Sequence, residues 1–276
     1  MPALPRNISE TVRTALKEDI GSGDRTAMLI PATAKAAATV ITREGAVLCG
    51  TAWFDEVYRQ LEPAITVTWL AQDGGRIVPG STVCTLQGPA RSLLSGERTA
   101  LNLLQLLSGT ATVTQEYASL LSGYSTRLLD TRKTIPGLRS AQKYAVLCGG
   151  GHNHRLGLFD AILIKENHIL ATGSISAAVK QAKTQGVPVE IEVEDLKELE
   201  EALNAGADTV LLDNFDPGKL REAVALNRGR ARLEASGGVS KDNIRTIAAT
   251  GVDFISIGAL TKHVHAIDFS MRFAGD

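Results

Sequence analysis

Six short apolar runs mark the second half of the chain, and each is followed by a segment with helical spacing. In order, they are RLLD ending at residue 130, AILIK at 165, VEIEV at 193, TVLLD at 213, ARLEA at 235 and FISIG at 258. Several intervening segments begin near a Ser or Asp and end at a Gly, as capped helices do. Strands that alternate with helices predict parallel β/α units covered by helices. Six strands fit either an incomplete barrel or an open doubly wound sheet.

The first hundred residues have a mixed α/β pattern instead. ATVITREGAVLCG predicts two strands joined by a turn at Glu44-Gly45, and AWFDEVYRQL predicts an amphipathic helix. Leucines at helical spacing from Ser92 to Leu107 predict a second helix, and Arg98 lies on its leucine stripe. Either the Arg98 stem packs while its head reaches water, or the head points at an anion, which could belong to a partner chain.

Composition and charge limit the classes of function. The 276-residue chain has 30 acidic and 29 basic residues, so no global basic field favours nucleic acid as a partner. Its three cysteines are widely spaced, which argues against a disulfide framework or a cysteine metal site. Because the sequence shows neither a signal peptide nor a membrane-length apolar run, we expect a cytoplasmic protein without a membrane partner.

Positive charge is concentrated in one segment. From Asp130 to Lys165 there are six basic and two acidic residues, and six minus two gives a surplus of +4. The basic residues are Arg132, Lys133, Arg139, Lys143, Arg155 and Lys165. A single Lys or Arg is best interpreted as a solvated surface residue, but this group follows strand ends. The cluster therefore indicates a site for a carboxylate or phosphate, which Arg binds through two oxygens.

The strand ends carry the other candidate chemistry, because active sites of α/β barrels lie at the carboxyl ends of the strands. Ser236-Gly237-Gly238 and Gly258-Ala259 are small turns whose backbone N–H groups suit a phosphate, although ordinary strand-to-helix turns look the same. Glu192 and Asp213 suit Mg²⁺ held through water, ribose hydroxyls, or simple balance of the cations. Glu190 shares a strand face with Glu192.

Lys165 admits three roles from its position at the end of an apolar strand. It fits a Schiff-base nucleophile, a fixed positive charge on an anion, or a lysine whose head only reaches solvent. The neighbouring cations do not decide between these roles, because they favour a neutral amine and also mark an anion site.

Several stretches form a specific combination over most of the chain. They are EDIGSGDRTA, GERTALNLLQLLSGTAT, LLDTRKTIPGLRSAQKYAVLCGGGHNHRLGLFDAILIKENHI, EIEVEDLKELEEAL, VLLDNF, and EASGGVS with GVDFISIGALTKHV. Together they resemble the quinolinate phosphoribosyltransferase family. The resemblance implies an N-terminal open α/β sandwich domain over residues 1–108. It also implies an incomplete, roughly six-stranded parallel α/β barrel, the type II phosphoribosyltransferase fold, over residues 109–265. A C-terminal tail, about 266–276, is expected to pack back on the first domain.

The resemblance further implies a reaction. The family transfers phosphoribosyl from phosphoribosyl pyrophosphate to quinolinate with decarboxylation, which gives nicotinate mononucleotide, pyrophosphate and CO₂ for de novo NAD biosynthesis. It implies Mg²⁺ as the cofactor and a homodimer, with any higher assembly left open. The alternatives are a phosphoribosyltransferase of the same fold with another substrate, or a Schiff-base lyase that uses Lys165.

Site residues follow from the same resemblance, position by position. Arg132, Arg155 and Lys165 correspond to quinolinate carboxylate binders, and His154 and Lys133 to residues that line the quinolinate and pyrophosphate region. Arg98 corresponds to an arginine given across the dimer to the neighbouring site. The remaining correspondences are ribose and Mg²⁺ contacts at Glu192 and Asp213, 5′-phosphate contacts at Ser236, Gly237 and Gly258, and catalytic roles for Lys133, Lys165, Glu192 and Asp213.

Overall fold

The computed structural model describes residues 1–273, and the chain divides into two compact units. The first unit comprises Met1–Gln115, Thr134–Gly150 and the chain from Leu260 onward. The second unit comprises Glu116–Lys133 and Gly151–Ala259. The last three residues of the expected C-terminal tail, 274–276, lie outside the described residues. The domain boundaries drawn from the sequence stay predictions.

Strands and helices account for most of residues 1–273. The strands are β1 Lys35–Thr42, β2 Ala46–Val47, β3 Thr66–Trp69, β4 Arg76–Ile77, β5 Thr82–Pro89, β6 Arg127–Leu129, β7 Ile162–Ile164, β8 Val189–Val193, β9 Thr209–Asp213, β10 Arg232–Ser236, β11 Phe254–Ser256 and β12 Phe269–Phe273. The helices are α1 Ile8–Ile20, α2 Thr51–Leu61, α3 Ala90–Leu120, α4 Arg139–Cys148, α5 Glu166–Thr172, α6 Ile175–Lys183, α7 Leu196–Asn204, α8 Pro217–Asn227, α9 Ile244–Ala248 and α10 Ala259–Lys262. Within residues 1–273, none of these helices combines the length and the apolar character that crossing a membrane requires.

The first unit is built on an antiparallel sheet with the strand order β12-β1-β5-β3. Strand β1 pairs with β12 on one side and with β5 on the other. Every second residue in the latter half of β1 is buried, so one face of the sheet packs on a core. Helix α2 contributes Trp53, Phe54 and Tyr58 to this core, which confirms the amphipathic helix predicted there.

The turn predicted at Glu44-Gly45 does not form a hairpin, and that prediction is wrong. Strand β2 pairs with β4 rather than with β1. The reason lies at Thr42, whose N–H donates to the Ser81 carbonyl and whose carbonyl accepts from the Gly80 N–H. A distant segment therefore occupies the position that a local hairpin partner would need.

All six strands predicted for the second half form one parallel sheet, in the order β6-β11-β10-β9-β8-β7. Strands β7 to β11 lie side by side in chain order, and β6 follows β11. A doubly wound sheet would reverse its order at the centre, so this order is that of a barrel. Within residues 1–273 no ladder joins β6 to β7, and the barrel is therefore open. The incomplete, six-stranded barrel is confirmed.

Side-chain caps begin three of the crossover helices. The side chains of Ser174, Asp195 and Asp216 accept backbone N–H groups at the starts of α6, α7 and α8. Each cap satisfies donors that a helix start otherwise leaves unpaired. The caps set where each helix begins, and because every strand runs in the same direction, the six carboxyl ends meet at one rim.

Candidate active site

The rim of the parallel sheet encloses a cavity of about 480 Å³. The segment after β6 contributes Arg132 and Lys133, and the residue after β7 is Lys165. Strands β8 and β9 contribute Glu192 and Asp213 near their carboxyl ends. All of these residues belong to the second unit.

Four cations line the cavity: Arg132, Lys133, Arg155 and Lys165. The Nε of Arg132 is buried and has no hydrogen-bond partner within residues 1–273. Burial lowers the pKa of Arg155, and the positive charge of Arg132 lowers it further. The guanidinium groups of Arg132 and Arg155 repel each other, and Arg132 also has a buried donor that no described protein group uses. Both features favour the binding of an anion in this cavity.

Asp130 holds the loop that brings His154 and Arg155 to the rim. Its side chain is fully buried, and its Oδ1 accepts the backbone N–H of His154 at 2.8 Å. Its Oδ2 accepts Asn153 Nδ2 at 2.6 Å, and a parallel bridge joins Leu129 at the end of β6 to His152. The loop therefore begins to pair on the free edge of β6, where the barrel is open. Asp130 serves the geometry of the site rather than its charge.

Glu192 and Asp213 lie on neighbouring strands and face the same cavity. Burial raises the pKa of Asp213, and the negative charge of Glu192 raises it further. Glu192 Oε2 lies 2.5 Å from Lys165 Nζ, and Asp213 Oδ2 accepts Asn214 Nδ2 at 2.9 Å. Two carboxylates that repel each other are a hard-oxygen donor set of the kind Mg²⁺ prefers, so these residues fit that ion.

The two glycine turns have packing reasons of their own. Gly237 has φ +93°, which favours glycine, and a Cβ there would overlap the Asn214 side chain. A Cβ on Gly258 would lie 2.7 Å from Lys133 Cδ. Gly258 thus leaves room for the stem of a cavity lysine, whereas the backbone conformation of Gly237 favours glycine whether or not its N–H group binds phosphate.

Two family models together match most of the chain. The model described as quinolinate phosphoribosyl transferase, N-terminal domain, matches residues 24–108, and the model for the C-terminal domain matches residues 110–272. The chain belongs to the quinolinate phosphoribosyl transferase family. The resemblance drawn from the sequence motifs is confirmed.

Individual family members are similar over nearly their whole length. A Bacillus subtilis (strain 168) protein named probable nicotinate-nucleotide pyrophosphorylase (carboxylating) is 41% identical over 257 residues, which cover 92% of this chain and 89% of the relative. The Mycobacterium leprae (strain TN) protein named nicotinate-nucleotide pyrophosphorylase (carboxylating) is 40% identical over 273 residues and 95% of each chain. A solved structure of the nicotinate-nucleotide pyrophosphorylase from Francisella tularensis has a TM-score of 0.95 and 50% identity, over 99% of this chain and 98% of that one. The predicted fold class is confirmed.

Most of the predicted site residues of this family member come together at the rim. The cavity is lined by Arg132, Lys133, His154, Arg155, Lys165, Glu192, Asp213, Ser236 and Gly237. Gly258 contacts Lys133 behind this lining, whereas Arg98 lies on α3 in the first unit. The roles assigned to these residues stay predictions.

Sequence reasoning did not assign a role to six further lining residues, which are Thr131, Leu163, Leu211, Asn214, Glu234 and Ser256. Most of them are short or apolar and give no chemical signal in a single sequence. Glu234 did give one, because it is a lone acid within the apolar run ARLEA. A carboxyl group in the middle of a buried parallel strand is costly unless it is paired or uncharged, so its presence there is a signal.

Proposed function

We propose that this chain joins quinolinate to the ribosyl group of phosphoribosyl pyrophosphate and releases pyrophosphate and CO₂, which yields nicotinate mononucleotide for de novo NAD biosynthesis. The observation that carries the proposal is the rim cavity, where four cations gather and the buried Arg132 Nε has no partner within residues 1–273. Membership of the quinolinate phosphoribosyl transferase family supports it.

The cations of the rim cavity offset the negative charge of the two proposed substrates. Quinolinate carries two carboxylates and phosphoribosyl pyrophosphate carries several phosphate charges, so the two repel each other and lose hydration when they enter one cavity. The protein has a net charge of −1, so only a local cluster offsets this cost. Arg132, Arg155 and Lys165 bind the quinolinate carboxylates in the proposed complex.

Positioning and charge stabilisation supply most of the catalysis in this scheme. The pyridine nitrogen forms a bond to the anomeric carbon of ribose as the bond from that carbon to the pyrophosphate oxygen breaks. Lys133 and Lys165 stabilise the departing negative charge, and His154 lines the same region. Ser236, Gly237 and Gly258 hold the 5′-phosphate. Glu192 and Asp213 bind ribose hydroxyls and would hold Mg²⁺, directly or through water, which when bound supplies positive charge for the leaving pyrophosphate.

Decarboxylation follows from the substrate's own electronics. The ring nitrogen becomes positively charged when it is ribosylated, so it withdraws the electron pair of the bond between C2 and its carboxylate. CO₂ leaves, and C2 takes up a proton. This hypothesis needs no protein base for the carbon–carbon bond cleavage. A pH profile that demands an essential base for CO₂ release would contradict it.

A Schiff-base lyase at Lys165 is less well supported. A nucleophilic lysine attacks as the neutral amine, whereas Lys165 Nζ lies in an ion pair with Glu192. The relatives from Bacillus subtilis and Mycobacterium leprae are both named as the carboxylating pyrophosphorylase, which supports the proposed reaction. Borohydride reduction in the presence of a carbonyl compound would trap a covalent adduct only if the lyase were correct.

Assembly and location belong to the same proposal. The protein acts as a homodimer in the cytoplasm, and Arg98 of one protomer completes the site of its partner. Mixed dimers of an Arg98→Ala protomer and a protomer inactivated at Lys165 should regain activity, because one of the two sites is then complete. Activity that never rises on mixing would place Arg98 in its own chain's site or outside any site.

One assay tests the reaction directly. Purified protein, quinolinate, phosphoribosyl pyrophosphate and Mg²⁺ should yield nicotinate mononucleotide and CO₂ in equal amounts. Nicotinate is the matched control, since it lacks the C2 carboxylate and should not replace quinolinate. Turnover of nicotinate, or binding of phosphoribosyl pyrophosphate without turnover of quinolinate, would overturn the proposal.

A further inference from the structure

Three side chains form a buried cluster beneath the rim cavity. His154 Nε2 lies 2.7 Å from Glu190 Oε2 and 3.6 Å from Glu234 Oε2. Glu190 is 7% exposed and Glu234 is 1% exposed. Glu234 precedes Ser236 by two residues on β10, so both side chains lie on one strand face, with Glu234 one layer deeper. The cluster therefore lies directly below the predicted site for anions.

The same cluster separates the rim cavity from a second cavity of about 370 Å³. His154 and Glu234 line both cavities. The lining of the second cavity includes residues at the amino ends of the strands, such as Val189 and Thr209. The three side chains thus form an internal layer across the open barrel rather than part of its surface.

Hydrogen bonding of His154 decides what balances the charge of this layer. One ligand atom from each of the three residues lies within 4.8 Å of the others, which would suit a divalent cation. However, His154 Nδ1 accepts the backbone N–H of Arg155 at 2.8 Å, so Nδ1 carries no proton. The neutral ring then carries its proton on Nε2 and donates it to Glu190. A protonated Nε2 does not bind a metal ion, so a proton rather than a metal ion balances the two carboxyl groups.

Glu234 is the group that holds this proton. Glu190 accepts the bond from His154, and its negative charge acts on the Arg155 guanidinium. Glu234 is too far from the imidazole for a hydrogen bond. Its Oε1, like that of Glu190, is buried without a partner within residues 1–273. Burial, and next the charge of Glu190, raise the pKa of Glu234 to about 8.

We propose that Glu234 is a positioning residue that keeps its proton while the rim cavity binds anions, and that its ionisation weakens quinolinate binding in alkaline solution. The inference rests on the proposed function, since it takes quinolinate as the anion. An uncharged Glu234 adds no negative charge beside Glu190, which accepts the bond from the His154 ring and so supports the loop that carries Arg155. An ionised Glu234 adds a second buried carboxylate below the ligand, and the repulsion loosens this support.

Several charged groups face Glu234 from the elements around it, and a single substitution separates their effects. Glu190 on β8 and His154 on the loop before β7 are the titratable neighbours. The rim cavity above adds Arg132, Lys133, Arg155, Lys165, Glu192 and Asp213. The substitution Glu234→Gln removes one titrating group, leaves the others in place, and keeps the size and the donor of a protonated glutamate.

The first test measures quinolinate affinity against pH by calorimetry. Between pH 7 and pH 9 the wild-type dissociation constant should rise roughly tenfold, as expected for one added charge near the ligand. Glu234→Gln should give a flatter profile. Glu234→Asp keeps an ionisable acid and should retain the rise, and Glu222→Gln, an exposed change on α8, is the matched control and should follow the wild type. A Glu234→Gln profile as steep as that of the wild type overturns the proposal.

The second test needs no substrate. The infrared spectrum of the free wild-type protein should contain the carbonyl stretch of a buried protonated carboxylic acid, and this band should fade with a midpoint near pH 8. The band should be missing from Glu234→Gln and present in Glu222→Gln. Its absence from the wild type at neutral pH overturns the proposal. A wild type that shows the band but binds no quinolinate defeats the proposed function and leaves the charge state of Glu234 established.

Discussion

A buried carboxylate of the first unit and the buried ionisable groups beneath the rim cavity of the second unit differ in how fully they are hydrogen-bonded. In the first unit Asp73 is 5% exposed, and both its oxygens are used. Oδ1 accepts the N–H groups of Gly50 and Thr51 at the start of α2, each at 3.1 Å, and Oδ2 accepts the Tyr144 hydroxyl at 2.9 Å. Such a carboxylate is complete without a ligand, and its purpose is to hold a helix and an aromatic ring in place.

The second unit satisfies the buried Asp130 but leaves three other buried ionisable groups incomplete near the rim cavity. Arg132 Nε, Glu190 Oε1 and Glu234 Oε1 are buried without partners within residues 1–273. The first unit also has unpartnered buried atoms, on Trp53 and Ser270, but these side chains are neutral. An unmade bond costs more at a charged group than at a neutral one. The difference teaches that unsatisfied charge, rather than buried charge alone, marks the site that binds ligands.

The largest expected effect comes from breaking the hydrogen bonds that Asp73 accepts. Asp73→Ala leaves two backbone N–H groups and the Tyr144 hydroxyl without their acceptor, so the free energy of unfolding should fall by roughly 3–5 kcal/mol. Denaturant unfolding measures this value. Asp55→Ala is the matched control, because the exposed Asp55 accepts one bond, from Trp69 Nε1, and should lose about 1 kcal/mol. Equal losses for the two variants would mean that the Asp73 network adds nothing special.

The next effect concerns binding instead of folding. Arg132→Ala removes a guanidinium that has no structural partner at Nε, so quinolinate binding should weaken by about 10- to 100-fold, the equivalent of a charge-assisted hydrogen bond. Its thermal midpoint should match that of Arg221→Ala, an exposed control on α8. Calorimetric titration and a thermal melt measure the two quantities. A large drop in the melting temperature with unchanged affinity would make Arg132 structural.

The third effect depends on pH and has a definite sign. The pKa of Glu234 is raised from 4.5 to about 8 in the folded protein, so between these values the folded state holds a proton that the unfolded state has lost. Stability therefore falls as pH rises through this window, by about 1.4 kcal/mol per pH unit from this group. Glu234→Gln lacks the term, so its stability relative to wild type should increase from pH 5 to pH 8. A constant difference between the two proteins would mean that Glu234 is ionised in both states.

Sequence patterns predict the second unit well because its order is local. Each β/α unit carries its own strand, cap and turn, and the six apolar runs correspond to β6 to β11. The strand ends then fix the rim, which is why the sequence alone predicts that Arg132, Lys165, Glu192 and Asp213 lie together. Parallel order alone left the barrel and the doubly wound sheet open, and the observed strand order decides between them.

Long-range pairing and buried partners could not be predicted. The pairing of β2 with β4 depends on Gly80 and Ser81, which lie nearly forty residues beyond Thr42 in the chain. Likewise, nothing in one sequence shows that Asp130 holds the loop at His154, or that Glu190 and Glu234 lie beside the same imidazole. Each of these contacts joins side chains on separate elements, so only the folded structure reveals which polar residues are satisfied.

The smallest expected effect compares two lysine–glutamate pairs of the second unit. Lys241 lies 2.7 Å from Glu116, with both side chains about half exposed, and Lys165 lies 2.5 Å from Glu192 at the rim. Because exposed pairs are well solvated, Lys241→Ala should change the free energy of unfolding by less than about 1 kcal/mol, some of it from lost contact with the Tyr117 ring. Its rate of nicotinate mononucleotide formation should equal that of the wild type, whereas Lys165→Ala should lose quinolinate binding. Denaturation curves measure the stability of the two variants, and initial rates measure their activity. If the two variants behave alike, a lysine at the carboxyl rim does not differ in function from a solvent-exposed lysine elsewhere. The pairs have nearly the same separation, so a difference in activity must come from what each lysine faces.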